Sequence, residues 1–269
     1  MTEPKQYNPW NANNKDIPLS EIARIAGYTP RRVDLFRQAC VHKSFVERTS
    51  ELSGDEVVPR PDGCMPLKKE DNEHLEFVGD GILDAIVGDY LERRFPGEGE
   101  GFWTYLRSEL VNNDHLGALA IKMGLSPWLI ISRHMEEVCN GRKNLRMLGS
   151  MLEAWIAAMF RDRIASDPLT AFWYVQQWVI GIIETHVDIG NFINHNTNYK
   201  DQLLRYFQAT FHQHPRYKEI SSSGPIHNRT FTMGVLLPDG SVLTTATARK
   251  IKDAENEASR LALEQLVSR

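Results

Sequence analysis

Three carboxylates, Glu73, Glu76 and Asp80, stand at positions i, i+3 and i+7 of one short stretch. The residues around them have helical apolar periodicity, with Leu75, Val78, Ile82 and Leu83 as the buried stripe. On an α-helix the three acids share one face. Like charges stacked so closely repel, and two arrangements relieve them: a solvated acidic surface, or a cation held among them. With oxygen-only ligands that cation is a hard divalent ion such as Mg²⁺ or Mn²⁺. Spacing alone leaves both readings open.

The longer run Glu73-His74-Leu75-Glu76-Phe77-Val78-Gly79-Asp80-Gly81-Ile82-Leu83 resembles the signature of the ribonuclease III family, E-x-L-E-F-L-G-D followed by a small residue. Upstream, Val41-His42-Lys43-Ser44-Phe45 is similar to the family's T-H-[KR]-S-[YF]. Downstream, Arg93-Arg94-Phe95-Pro96 leads to Glu100-Gly101 and then to Leu106-Arg107-Ser108-Glu109-Leu110-Val111-Asn112. Met147-Leu148-Gly149-Ser150-Met151-Leu152-Glu153-Ala154 resembles the family's I-L-A-D-x-x-E-A. One such block is weak evidence, whereas several in register are strong.

The resemblance implies an endoribonuclease that cuts double-stranded RNA by divalent-metal-assisted phosphodiester hydrolysis, leaving 5′-phosphate and 3′-hydroxyl ends. It implies Glu76, Asp80 and Glu153 as catalytic metal ligands, Mg²⁺ as the cofactor with Mn²⁺ as a substitute, and a homodimer that supplies one site to each strand. Glu73 is expected at the edge of the site or near the substrate. Glu100 matches a glutamate placed near the dimer partner. One departure stands out: Ser150 occupies the position of the family's aspartate and supplies no charge. Loss of that acid weakens metal binding in an active enzyme, or else marks a catalytically impaired relative that binds or sequesters double-stranded RNA. Retention of Glu76, Asp80 and Glu153 favours activity.

The elements that would position these residues are mostly helical. Helices are predicted over Ile17–Ala26, Arg31–His42, Glu73–Phe95, Phe102–Met123, Leu145–Arg161 and Pro168–His186, giving an all-α domain over residues 17–186. Residues 46–71, with Pro59, Pro61, Gly63 and Pro66, read as a loop inserted before the signature helix. Residues 1–16 are polar and Asn-rich and read as a flexible arm with Trp10 as its docking residue, and 187–197 as a linker.

After residue 197 the period changes. A helix over Tyr199–Gln208, strands over Tyr217–Ser221, Thr230–Leu237 and Ser241–Thr247, and a helix over Lys252–Val267 give an α-β-β-β-α order for residues 198–269. That order resembles the double-stranded RNA-binding domain, which follows the catalytic domain in ribonuclease III. Gly224-Pro225-Ile226-His227 is similar to the minor-groove loop G-P-x-H, with His227 on sugar or base edges. Lys252 matches the second lysine of the family's S-K-K-x-A-E, and Ile251 replaces the first. Arg249 and Lys250 restore the charge for phosphate contacts. Leu204 and Arg205 replace the minor-groove Gln and Glu of the first helix, so weaker or reorganised duplex binding is expected.

Composition agrees with this division. The net charge is −4, yet residues 197–269 carry ten Lys/Arg against seven Asp/Glu, so this part is +3 and the remainder −7. An acidic body with a basic appendage suits metal in one part and phosphate in the other. Cys40, Cys64 and Cys139 show no C-x-x-C spacing, which argues against a disulfide framework or zinc ribbon. No apolar run reaches membrane-spanning length and no signal-peptide core opens the chain. The expectation is an intracellular, cytoplasmic protein without membrane association, with nuclear and organellar sites left open. His42 reads as a buried, hydrogen-bonded histidine rather than an acid–base group, and Trp103, Trp128, Trp155, Trp173 and Trp178 as core residues.

Overall fold

A computed structural model describes residues 6–47, 56–194, 197–225 and 228–267. The chain clusters into two compact units, residues 1–98 with 106–189, and residues 99–105 with 190–269.

The first unit is helical. Its elements are α1 (Leu19–Ala26), α2 (Val33–Ala39), α3 (Glu73–Arg94), the later part of α4 (Glu100–Leu110), α5 (Asn113–Lys122), the short α6 (Arg133–Glu137), α7 (Leu145–Ile164) and α8 (Ala171–His186). Helix α7 is its axis. From Met147 to Met159 nearly every residue is buried, as expected for a helix that is apolar on all sides. The helix packs against α2, α3, α5 and α8. Trp155 is fully buried with its ring edge-on to Phe36, centroids 4.9 Å apart. Asn144 caps α7 by accepting from the Met147 N–H at 3.2 Å.

One long helix was expected over Phe102–Met123. The structure has two, α4 and α5, because the Asn112 side chain accepts from the His115 N–H at 2.8 Å and starts a new helix there. Residues 6–16 also differ from expectation. Instead of a loose arm, Gln6–Tyr7 (β1) pairs in parallel with Glu56–Val57 (β2) from the insertion, and Trp10 Nε1 donates to the Val58 carbonyl at 2.6 Å. Asn11 and Asn14 are buried, and both donate to the Ile131 carbonyl, at 3.2 and 2.9 Å. Their carboxamides satisfy backbone that would otherwise be buried without partners. The insertion expected as a loop at 46–71 therefore carries a short strand; its residues 48–55 lie outside the described residues. Trp173 corrects another expectation, since it is 54% exposed beside Phe172 and Tyr174.

The segment expected as a plain linker contains α9 (Ile189–Asn194). The second unit then follows the α-β-β-β-α order, with α10 (Tyr199–Phe211), β3 (Arg216–Ser223), β4 (Thr230–Leu236), β5 (Val242–Ala248) and α11 (Ile251–Val267). The three strands form an antiparallel sheet in the order β3-β4-β5. Helix α11 packs on β4, β5 and α10. Leu203, Phe207, Val235, Ala258 and Ala262 make the shared core.

Candidate active site

Asn72 sets where the acidic helix begins. It is buried, its N–H donates to the Val41 carbonyl at 2.9 Å, and its Nδ2 donates to the Ala39 carbonyl at 3.3 Å. These bonds fix the first turn of α3 beside the His42–Ser44 segment. Two turns of α3 then present Glu73, Glu76 and Asp80, while α7 presents Ser150 and, one turn later, Glu153. The two helices cross where a Cβ built on Gly79 would fall on the backbone carbonyl of Glu153, so only glycine permits this approach.

Glu73, Glu76, Asp80 and Glu153 line one cleft with Phe77, Val111, Asn112 and Asn113. A second cleft shares Glu73, Glu76 and Asn113 and adds His42, Lys43, Asn72, Arg146, Met147 and Ser150. The expected ligands and the departure at Ser150 thus gather in one place. Glu100 does not line either cleft; it is the first residue of α4.

The carboxylates are not equivalent. Glu153 is 6% exposed, and no hydrogen bond reaches its carboxyl among the described residues. Burial pushes its carboxyl up to about 8, and the charges of Asp80, Glu76 and Asp84 push the same way. Glu73 and Asp80 are exposed. Lys43 donates to Glu73 Oε1 at 2.8 Å and holds that carboxyl below its ordinary range. Ser150 Oγ donates to Glu76 Oε1 at 2.7 Å. His42 is half-buried, not fully buried as expected; its Nδ1 accepts from the Ser44 N–H at 3.1 Å, and burial lowers its pKa.

Among the described residues no three acids, histidines or cysteines are drawn together tightly enough to form a ready-made metal site. The donor set nevertheless fits a hard divalent ion. It offers only oxygens, and Glu153 is a buried carboxyl with neighbouring negative charge and no cation beside it.

Three further residues escaped the sequence reading. Asp84 stands one turn beyond Asp80 and acts electrostatically on Glu153, a signal present in the i+4 spacing. Asn113 and Arg146 line the clefts from α5 and α7. Their approach depends on tertiary packing, and nothing in the local pattern announces it.

The family model "Ribonuclease-III-like" matches residues 33–168, and "Double-stranded RNA binding motif" matches residues 199–266. A protein named "Ribonuclease 3" from Dehalococcoides mccartyi is 30% identical over 250 residues, covering 93% of this chain and 95% of its own length. The chain belongs to the ribonuclease III family. The "Probable ribonuclease 3" of Acanthamoeba polyphaga mimivirus is 32% identical over 97% of this chain, which spans 48% of the viral protein's length. The nuclease domain of ribonuclease III from Campylobacter jejuni is a structural relative, with a TM-score of 0.50 and 25% identity over 63% of this chain and 99% of that one.

The ribonuclease III nuclease fold is therefore joined here to a double-stranded RNA-binding fold. In the latter, Gly224 has φ +94°, and a Cβ there would lie 2.6 Å from the Asn228 carbonyl oxygen, so the turn demands glycine. Pro225 follows, while His227 lies outside the described residues. Arg249, Lys250 and Lys252 are all exposed around the start of α11, where the helix dipole adds to their positive charge. Arg205 is ion-paired with Asp201 on its own helix at 2.8 Å. No helix among the described residues is long and apolar enough to cross a membrane.

Proposed function

We propose that this chain is an endoribonuclease that cleaves double-stranded RNA by metal-assisted hydrolysis, leaving 5′-phosphate and 3′-hydroxyl ends. The observation that carries the reading is the Glu153 carboxyl, on a buried residue and without a hydrogen bond among the described residues, in the cleft that it shares with Glu76 and Asp80. Glu76, Asp80 and Glu153 would hold Mg²⁺, with Mn²⁺ as a substitute and Ser150 at the margin as a neutral oxygen. A bound ion would supply activation of water and neutralisation of charge on the phosphodiester. Binding it requires Glu153 to give up its proton. Lys43 and Arg146 provide positive charge for the RNA backbone next to an acidic cleft. Glu73 sits at the rim, held by Lys43.

Gly224, Pro225, His227, Arg249, Lys250 and Lys252 form the proposed duplex-binding surface, which reads A-form shape through 2′-hydroxyls and phosphates. A homodimer is the proposed assembly. Phe77, which borders the acidic cleft and is 82% exposed, is a ring that a partner subunit would cover. The Campylobacter nuclease domain, for its part, is described as flexible in a region involved in dimer formation. In such a dimer Glu100 would lie near the partner. The three free thiols support an intracellular, cytoplasmic location.

The test is cleavage of a long end-labelled RNA duplex across Mg²⁺ and Mn²⁺ titrations, with Glu153→Gln in parallel. Metal-dependent cleavage that Glu153→Gln abolishes supports the enzyme. Duplex binding without cleavage at any metal concentration would establish the catalytically impaired binder instead.

A further inference from the structure

The Ser150–Glu76 hydrogen bond and the Gly79–Glu153 approach are in step. Each partner on α3 advances three residues as its partner on α7 advances three, so the two helices run in the same sense past one another. Ser150 therefore faces Glu76 for the same reason that Glu153 faces the acidic cleft. An aspartate at position 150 would set a second carboxylate at hydrogen-bond distance from Glu76, and two carboxylates so close do not both ionise without a cation. A hydroxyl reverses the sign of that contact, because it donates a proton to Glu76 Oε1. The other oxygen, Oε2, carries no hydrogen bond among the described residues.

We propose that Ser150 is a positioning residue: its hydroxyl fixes one oxygen of Glu76 and orients the other for a divalent cation, so that the site works with three carboxylates rather than four. Ser150 acts through Glu76 and contributes no charge of its own. The arrangement trades binding strength for order. It gives up the attraction of a fourth anion, and in return Glu76 does not have to be gathered in when the ion arrives. This rests on the reading of the cleft as a metal site.

Calorimetric titration of the full chain with Mn²⁺ alone tests both statements, alongside thermal unfolding in chelator. Ser150→Ala is expected to weaken Mn²⁺ binding by about tenfold or more, the value of one hydrogen bond to a charged group. Ser150→Thr, which keeps the hydroxyl, is expected to restore it. In a Glu76→Gln background the Ser150→Ala change is expected to cost nothing further, because its effect is exerted through that carboxylate. Ser150→Asp is expected to melt lower in chelator and to gain more on adding Mn²⁺ than the parent. Unchanged Mn²⁺ affinity in Ser150→Ala, or an equal loss with and without the Glu76 carboxylate, overturns the positioning role while leaving the metal site intact. Failure of the parent chain to bind Mn²⁺ overturns the metal site and the positioning role together.

Discussion

Gly79 lies directly against the backbone carbonyl of Glu153. This contact sets the distance between the helix that carries Glu76 and Asp80 and the helix that carries Glu153, so the acidic cleft has its geometry fixed by a residue with no side chain. Gly79→Ala is expected to force the helices apart, with an overpacking cost of about 1–3 kcal/mol. For a chain of this size that lowers Tm by roughly 2–4 °C per kcal/mol. Unchanged melting in Gly79→Ala would show that the helices do not meet there.

The pH dependence of stability follows from Glu153. Its folded carboxyl titrates near 8 against an ordinary value of 4.5. Between those values the native state keeps a proton that the unfolded chain has released, so stability falls as pH rises through this window and levels off above it. The loss is expected to reach roughly a few kcal/mol. Glu153→Gln stays neutral throughout and is expected to flatten the slope. Thermal unfolding of both proteins in chelator from pH 5 to 9 measures this. Parallel curves would refute it.

Lys43 and Glu73 form an ion pair with both side chains more than half exposed. Such pairs contribute about 0–1 kcal/mol, so Lys43→Ala is expected to leave Tm within a degree or two. Its effect should instead appear in the affinity for RNA, measured at two salt concentrations. A large stability loss without a binding change would assign Lys43 to the fold rather than the cleft.

Asn14 exchanges two hydrogen bonds with Ile131, donating to its carbonyl at 2.9 Å and accepting from its N–H at 3.2 Å. Asn14→Ala strands the buried Ile131 N–H, while Asn11 still serves the carbonyl, and is expected to cost about 1–3 kcal/mol. Chemical denaturation gives the number. A cost near zero would mean that water replaces the carboxamide.

Lys252, exposed on the first turn of α11, is expected to contact phosphate. Lys252→Ala should weaken duplex RNA binding alike for different sequences and reduce the slope of log affinity against log salt by about one. An unchanged slope would place the phosphate track elsewhere.

The sequence carried the site further than it carried the surroundings. Glu73, Glu76 and Asp80 were readable because helical spacing alone puts them on one face, and Glu153 because it stands in a block of recognisable order. Their convergence needed the Gly79–Glu153 crossing, for which spacing gives no sign. Asn112 was readable as a cap in principle, but the apolar period runs on through it and masks the break between α4 and α5. The order of residues 6–16 was hidden for a plainer reason. Polar composition suggests solvent, yet Asn11 and Asn14 are polar because their partner is buried backbone at Ile131. Ser150 was visible as a missing charge, whereas its bond to Glu76 required coordinates.

The anchoring of Asn11 also has a consequence in time. Its partner Ile131 lies 120 positions downstream. At a synthesis rate of about 5–20 residues per second, the ribosome needs roughly 6–24 s to make the intervening chain. This segment thus cannot complete its docking until Ile131 has been made, and for that interval Asn11 and Asn14 wait without the buried backbone that will hold them.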